Sequence, residues 1–343
     1  MNSAICLIPA QEQALRIEKL GLEVPTLITD AANLFYLTGR VFAGYLMITP
    51  GVEPTYYIKR PLELTGPGVE YIRKPEDIGQ RFPGGLERLG LELGQIAWAD
   101  AERLMKALGA KEPVNVTPAI MNARAVKTPL EISLLEEDGI RQAAVYERIP
   151  RLFRPGMTDI ELQAAIEYEL RLQGCLGIFR VNGPMELHMG SVLTGENADA
   201  PSPYDFAMGG SGISPALPVG ASGEEIKPGA VVMIDMNGCF NGYLTDMTRM
   251  FVNAPAVADL NPKVLNAWKC SQTICRRLAE AGRPGVEAKA LYELAVEIVE
   301  EFKLGAYFMG HRQHAGFVGH GIGIAVNEQP VLAPRSKSVL AEG

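Results

Sequence analysis

The chain has 343 residues, a formal net charge of −8 and 47% hydrophobic residues. This acidic balance argues against a nucleic-acid-binding surface, and no apolar run reaches the ~18–20 residues that a membrane span needs. No basic segment precedes an apolar stretch at the N-terminus, so we expect no signal peptide and a cytoplasmic protein. The five cysteines form no C-x-x-C pair, which indicates reduced thiols and no structural zinc cluster.

The first third of the chain alternates strand-like and helix-like patterns. The predicted strands are 25–30, 44–50, 54–60 and 94–100, and the predicted helices are 31–39 and 100–110. This alternation predicts a compact α/β domain of roughly 120 residues.

Two capping boxes follow this domain. Thr128-Pro129-Leu130-Glu131 predicts the start of a long amphipathic helix that runs to about Phe153, and Thr158-Asp159-Ile160-Glu161 predicts the start of another. We place the domain boundary just before Thr128. The predicted domains are 1–127 and 128–343.

A segment rich in Gly, Pro, Ser and Ala covers residues 190–228. It is either a surface loop or an ordered functional segment, because long structureless loops are uncommon in compact domains. We expect it to be ordered and to line a cleft, with Tyr204, Asp205 and Phe206 near the mouth. Helices are predicted near 262–281 and 286–303.

Residues 230–251 predict a β-hairpin, because two Asn-Gly pairs separate two strand-like halves. A four-residue loop places Asp235 opposite Asp246, whereas a two-residue Asn241-Gly242 turn makes them diagonal neighbours. In both registers the carboxylates share one sheet face, where they repel unless a proton or a cation compensates. The hairpin therefore predicts a divalent-cation site. The alternative is a solvent-facing polar pair.

A histidine, His320, lies in the glycine-rich stretch "GFVGHGIGIAVNEQP". Two aspartates and one imidazole form a mixed oxygen and nitrogen set that suits Mn, Fe, Co or Zn. The alternative for His320 is a buried histidine in a turn.

The motif "IDMNGCFNGYLTDMTRMF" resembles the first metal motif of the pita-bread metallopeptidases, and "GHGIG" resembles their histidine-ligand motif. "LITDAANLFYLTG" is similar to the N-terminal domain of the Xaa-Pro aminopeptidase, prolidase and creatinase branch. The resemblance implies a mixed α/β chain in which a creatinase-like N-terminal domain precedes a pita-bread catalytic domain.

The same resemblance implies the roles of the site residues. Asp235 would be a terminal ligand, Asp246 would bridge two divalent metals (Mn, Co, Zn or Fe), and His320 would bind one of them. Thr248 would form a hydrogen bond near the bridging carboxylate. The implied function is a metal-dependent hydrolase of the Xaa-Pro peptidase type, a homodimer that acts on short peptides or other small amides, with a metal-activated water as nucleophile.

The chain departs from the family pattern at two histidines. Val219 occupies the place of one, and Asn327 replaces the other, just before Glu328. We therefore take His188, Asn327 and Glu328 as candidate catalytic residues. His188 would substitute for a missing histidine; its alternative is a buried structural role. Asn327 can donate a hydrogen bond but cannot carry a proton at neutral pH.

The sequence ends at "SVLAEG", and two glutamate ligands that the resemblance implies have no counterpart in it. We therefore expect an incomplete pita-bread domain that binds metal weakly or not at all. A shortened chain, a cleaved product and a truncated gene model all remain open. Two further functions also remain open: non-peptide C–N hydrolysis on the creatinase fold, and peptide binding by a pseudoenzyme.

Overall fold

The structure is a computed structural model that describes residues 3–182, 188–204, 209–254 and 260–343. The chain divides into two compact units, Met1–Arg124 and Ala125–Gly343. Within the described ranges, no helix combines the length and the apolar composition that crossing a bilayer requires.

The first unit is built on a six-stranded mixed sheet with the order β4-β3-β2-β1-β5-β6. Its helices are α1 (Ala10–Lys19), α2 (Ala31–Thr38), α3 (Glu76–Gly79), α4 (Trp98–Ala107) and α5 (Thr117–Ala125), and its strands are β1 (Thr26–Ile28), β2 (Ala43–Ile48), β3 (Thr55–Arg60), β4 (Val69–Tyr71), β5 (Arg88–Leu91) and β6 (Glu112–Asn115). The central strand β1 pairs antiparallel with β2 and parallel with β5. Its residue Leu27 joins Ala101 and Leu104 of α4 in one core.

The predicted strand at 94–100 is wrong. The strand is β5, where Leu89 and Leu91 are fully buried in the core. Residues 94–97 form a turn instead, in which the backbone N–H groups of Gln95 and Ile96 donate to the carbonyl of Glu92. The apolar run that suggested a strand therefore covers a hydrogen-bonded turn and the start of helix α4. The sequence analysis also missed α1, α5, β4 and β6.

The second unit contains a three-stranded antiparallel sheet, β7-β8-β9, and a separate two-stranded pair, β10-β11. Its helices are α6 (Pro129–Tyr146), α7 (Ile149–Leu152), α8 (Asp159–Leu172), α9 (Pro262–Ala281) and α10 (Ala288–Glu301), and its strands are β7 (Gly190–Thr194), β8 (Val231–Gly238), β9 (Thr245–Val252), β10 (Gly319–Gly321) and β11 (Glu328–Leu332). The predicted hairpin and the two late helices are confirmed.

Both predicted capping boxes are confirmed at the starts of α6 and α8. At α6, the Thr128 hydroxyl accepts from the Glu131 N–H while the Glu131 carboxylate accepts from the Thr128 N–H. The long helix, however, ends at Tyr146 rather than near Phe153. Pro150 lacks the N–H that would bond to the carbonyl of Tyr146, so the helix breaks and α7 begins separately.

The Gly-rich segment 190–228 begins with a strand rather than a loop, since all five residues of β7 are buried. Asp205 and Phe206, expected near a cleft mouth, lie outside the described residues. The placement of Tyr204 near that mouth stays a prediction.

The three-stranded sheet buries one face against α6 and α8. Val192, Ile234 and Met236 from the strands meet Ile166 from α8 in a common core. The Tyr146 hydroxyl joins β8 and β9 from this side, because it accepts from the Met236 N–H and donates to the carbonyl of Met247. Since side chains alternate along a strand, residues such as Asp235 must point to the opposite face.

Candidate metal centre

The face of the three-stranded sheet opposite the core carries a row of polar side chains. In the ladder, Ser191 of β7 lies opposite Asp235 of β8, which lies opposite Thr248 of β9. Two residues further along β8, Asn237 lies opposite Asp246. Residues that face each other, or that are two apart, share one face of a sheet. The fold therefore gathers two carboxylates, an amide and two hydroxyls on one surface, which we call the polar face.

The register makes the two carboxylates diagonal neighbours, which was one of the two predicted arrangements. The connecting loop is longer than the predicted two-residue turn, because β8 ends at Gly238 and β9 begins at Thr245. The Asp138 carboxylate holds this loop by accepting from the N–H groups of Phe240 and Asn241 at 3.0 and 3.2 Å. Asp138 thus helps to set the register from a helix about one hundred residues earlier in the chain.

Both carboxylates resist ionisation. Burial raises the pKa of Asp235 to about 7, and the nearby charge of Asp246 adds to this effect, although a 2.7 Å hydrogen bond from Thr248 opposes it. Burial raises the pKa of Asp246 to about 6. The Asp246 side chain is still 29% exposed, so the dense protein around it, rather than complete loss of water, causes its shift. A cation at this face would stabilise both charges.

His320 approaches this pair from β10. Its Nε2 lies 3.6 Å from Asp246 Oδ2, and its Nδ1 lies 3.0 Å from the carbonyl oxygen of Gly321. A carbonyl oxygen only accepts, so Nδ1 is protonated and donates to it, which in a neutral ring would leave the Nε2 lone pair facing the carboxylate. A lone pair facing a carboxylate needs a cation or a second proton between them. Metal-binding histidines are commonly oriented by such a bond from the other ring nitrogen.

These donors fit a divalent cation in chemistry and charge. The structure brings Asp246 and His320 together and places Asp235 on the same face, roughly 7–8 Å from Asp246 between Cα atoms if the sheet is regular. Across the four described ranges, however, no three or more His, Cys, Asp or Glu side chains form a group that could hold a metal ion. Two of the three predicted ligands are therefore within reach of one ion, with the third beside them.

The structure also locates the candidate catalytic residues Asn327 and Glu328. The Asn327 amide accepts from the Asn182 N–H at 2.7 Å and donates to the Asn182 carbonyl at 3.1 Å. Glu328 is only 2% exposed and pairs with Lys127 at 3.1 Å. Both side chains thus hold neighbouring backbone and side-chain groups next to the His320 hairpin. Their catalytic roles stay predictions.

The third candidate, His188, lies beside the position where the family resemblance places a histidine. A Cβ built on Gly220 would lie 2.9 Å from His188 Nε2 and 2.2 Å from Ser191 Oγ. Val219, the preceding residue, is 1% exposed and belongs to the buried core. The imidazole of His188 is therefore next to residue 220 and close to Ser191, the ladder neighbour of Asp235.

Sequence reasoning missed several residues that build this site. Ser191 lies in a strand that was read as part of a long Gly-rich segment, while Asp138, Tyr146 and Lys127 act across long distances in the chain. For Asp138, the signal available in the sequence was its acidic side chain on the core-facing side of a predicted helix.

Comparison with known proteins identifies the family of the chain. A family model described as metallopeptidase family M24 matches residues 133–343, and one described as the creatinase/prolidase N-terminal domain matches residues 16–126. The chain therefore belongs to metallopeptidase family M24. The family and fold class expected from the sequence are confirmed.

The chain is also similar to named proteins along most of its length. It is 28% identical over 326 residues to the Xaa-Pro dipeptidase of Pyrococcus horikoshii, and this alignment covers 92% of this chain and 82% of that protein. Among solved structures, the prolidase from Pyrococcus horikoshii aligns with a TM-score of 0.76 and 23% identity over 97% of this chain and 88% of that one. The X-Pro aminopeptidase from Thermotoga maritima aligns with a TM-score of 0.76 and 20% identity over 95% and 87%. These structures share the fold of this chain.

Proposed function

We propose that this protein is a metal-dependent peptidase that hydrolyses short peptides of the Xaa-Pro type. Membership of a metallopeptidase family supports the reaction class, and similarity to an Xaa-Pro dipeptidase along nearly the whole chain supports the substrate class. The sequence and the fold thus point to the same chemistry.

The observation that carries the proposal is the contact between His320 Nε2 and Asp246 Oδ2 at 3.6 Å on the polar face. Asp235, Asp246 and His320 are the proposed ligands of a divalent cation, which would be Mn, Co, Zn or Fe. Such a cation supplies Lewis acidity, which polarises a peptide carbonyl and lowers the pKa of water. The three residues carry the opposite charge and the free lone pair that this ion requires.

Residues around the ligands keep them oriented. Thr248 donates to Asp235, and the carbonyl of Gly321 fixes the proton of His320 on Nδ1. Asn327 and Glu328 hold the segments that flank the His320 hairpin. Their contacts therefore support a positioning role for both residues in the reaction.

The proposed partner of the site is a short peptide. A homodimer stays a prediction from the family resemblance, and light scattering on the purified chain tests it.

An assay of proline release tests the function. The purified chain is stripped of metal with a chelator, supplied with Mn²⁺, Co²⁺, Zn²⁺ or Fe²⁺ in turn, and given Ala-Pro or Ala-Ala. We expect hydrolysis that requires metal and favours Ala-Pro. Binding of Ala-Pro without any hydrolysis in all four metals would instead favour a peptide-binding pseudoenzyme. Hydrolysis of a non-peptide amide alone would favour a C–N hydrolase of the creatinase kind.

A further inference from the structure

Two polar groups beside Asp235 have no partner in the structure. The hydroxyl oxygen of Ser191 and the Nδ1 atom of His188 are both buried, and neither forms a hydrogen bond with any described residue. Ser191 itself is completely buried. A buried polar group without a hydrogen bond is destabilising, and such groups are rare enough in native proteins that each calls for an explanation.

The two groups belong to one cluster. Both lie within 3 Å of the point where a side chain on Gly220 would begin, at 2.2 Å for Ser191 Oγ and 2.9 Å for His188 Nε2. The backbone of Gly220 has a φ of +87°, which favours glycine, and its carbonyl accepts from Asn197 at 3.0 Å. The chain therefore keeps residue 220 without a side chain, and the imidazole and the hydroxyl both lie close to its backbone.

The cluster borders the proposed catalytic residues. Ser191 lies directly opposite Asp235 in the ladder, so their side chains leave the same face of the sheet. Ser191 is completely buried, whereas His188 is partly exposed, so His188 is the member of the cluster that solvent reaches.

We propose that His188 contacts the substrate by donating a hydrogen bond to a peptide oxygen, and that Ser191 is a positioning residue that orients the imidazole when substrate binds. An imidazole N–H and a hydroxyl are both suited to acceptor oxygens, and a peptide offers two kinds: the scissile carbonyl and the terminal carboxylate. This inference rests on the peptidase function proposed above. Substrate binding would give a nitrogen of the His188 ring a hydrogen-bond partner and draw the ring toward the Ser191 hydroxyl.

The test measures kcat and KM of the metal-loaded full chain with Ala-Pro and with its C-terminal amide. His188→Ala should lower kcat/KM by about 10–100-fold, which is the effect of losing a hydrogen bond to an oxygen that is charged or that gains charge during the reaction. Ser191→Ala should lower it by roughly 3–10-fold. The double variant should be no worse than His188→Ala alone, because a positioning residue acts only through the group it positions.

Three controls accompany these measurements. His188→Gln retains a donor and should recover part of the loss. Ser271→Ala, a matched hydroxyl on the exposed face of α9, should change nothing. Metal affinity and thermal unfolding of each variant should stay as in the unaltered chain, which separates a lost substrate contact from a lost fold.

Each outcome decides a point. A loss seen only with the free dipeptide assigns the contact to the carboxylate, and a loss with both substrates assigns it to the scissile carbonyl. Normal hydrolysis by His188→Ala would overturn the inference and leave the peptidase function standing. Additive effects of the two alanine substitutions would overturn the positioning role of Ser191. An unaltered, metal-loaded chain that neither binds nor cleaves dipeptides would overturn the proposed function and this inference with it.

Discussion

Buried carboxylates are treated differently in the two units of the chain. In the first unit, Glu92 is fully buried and accepts hydrogen bonds from the Thr29 N–H at 2.6 Å, the Asp30 N–H at 2.9 Å and the Asn33 amide at 2.7 Å. On the polar face of the second unit, Asp235 accepts one bond from Thr248, and Asp246 faces a ring nitrogen of His320. Burial raises the pKa of all three carboxylates.

The difference teaches how to separate a structural carboxylate from a functional one. The donors around Glu92 all come from the junction between β1 and α2, so the carboxylate ties that junction to the end of β5. The polar face supplies fewer donors than its two carboxylates can accept, and it adds a histidine whose free lone pair points toward one of them. Such a surface is completed by a ligand rather than by the protein.

The largest effect is expected from substitutions of the proposed metal ligands on the polar face. Asp246→Asn and His320→Ala should each lower metal-dependent turnover of Ala-Pro by about 10³-fold or more, since the Lewis acid that they hold is worth several kcal/mol. Steady-state rates measure the loss. Asp100→Asn, an exposed carboxylate of α4, serves as the control and should match the unaltered chain. Equal turnover by Asp246→Asn would contradict the assignment.

A fourth carboxylate, Glu328, extends this comparison. Glu328 lies beside the site but is paired with Lys127 and accepts from the Ala325 N–H, so it should behave like a structural group. Glu328→Ala should lower the free energy of unfolding by about 3–5 kcal/mol, because it leaves a buried ammonium unpaired. Denaturant titration measures the change. The control is Glu297→Ala on the exposed side of α10, and an unchanged stability for Glu328→Ala would show that the pair contributes nothing.

A smaller effect is expected in the first unit. Glu92→Gln keeps the shape of the side chain but turns an amide N–H₂ group toward backbone donors. It should lower the stability of this unit by about 1–3 kcal/mol and leave metal binding unchanged. Thermal unfolding followed by far-UV circular dichroism measures it, with exposed Glu102→Gln as the control. A variant as stable as its control would remove Glu92 from the structural class.

The smallest effect concerns pH. The pKa values of Asp235 and Asp246 rise on folding from an ordinary 3.8 to about 7 and about 6. Their contribution to stability is therefore complete below about pH 4 and is lost as the pH rises through 6 and 7. In metal-free protein, Asp235→Asn should remove part of this loss, on the order of 1 kcal/mol at pH 8. Melting temperatures at pH 5 and pH 8 measure it; parallel pH profiles for the two proteins would contradict the shifts.

Local signals in the sequence predicted much of this fold. Both capping boxes are confirmed because each joins residues only three positions apart. The hairpin is confirmed because alternating strands and turn residues are also local. The strand predicted at 94–100 failed because apolar residues at 93–98 suit a turn and a helix start as well as a strand, and only the core packing of β5 decides between them.

The site was predictable in its donors but not in its details. The spacing of the two aspartates places them on one face in either register, so the sequence alone supports a cation site. Asp138 helps to set the register, through bonds to a loop that lies far along the chain. The cluster of His188, Ser191 and Gly220 joins two segments, 188–191 and the stretch around Gly220, that no periodicity connects, so it becomes visible only in the folded chain.

The most direct test of the account is calorimetric titration of the metal-free chain with Mn²⁺ or Co²⁺ up to millimolar concentration, in two buffers of different ionisation enthalpy. If the polar face is the metal centre, the ion should bind with release of protons, because carboxylates with raised pKa values must ionise to hold it. Asp246→Asn should lose that binding and that proton release, while Asp100→Asn keeps both. Binding of equal affinity by Asp246→Asn, or binding without proton release, would contradict the claim that the polar face is the metal centre.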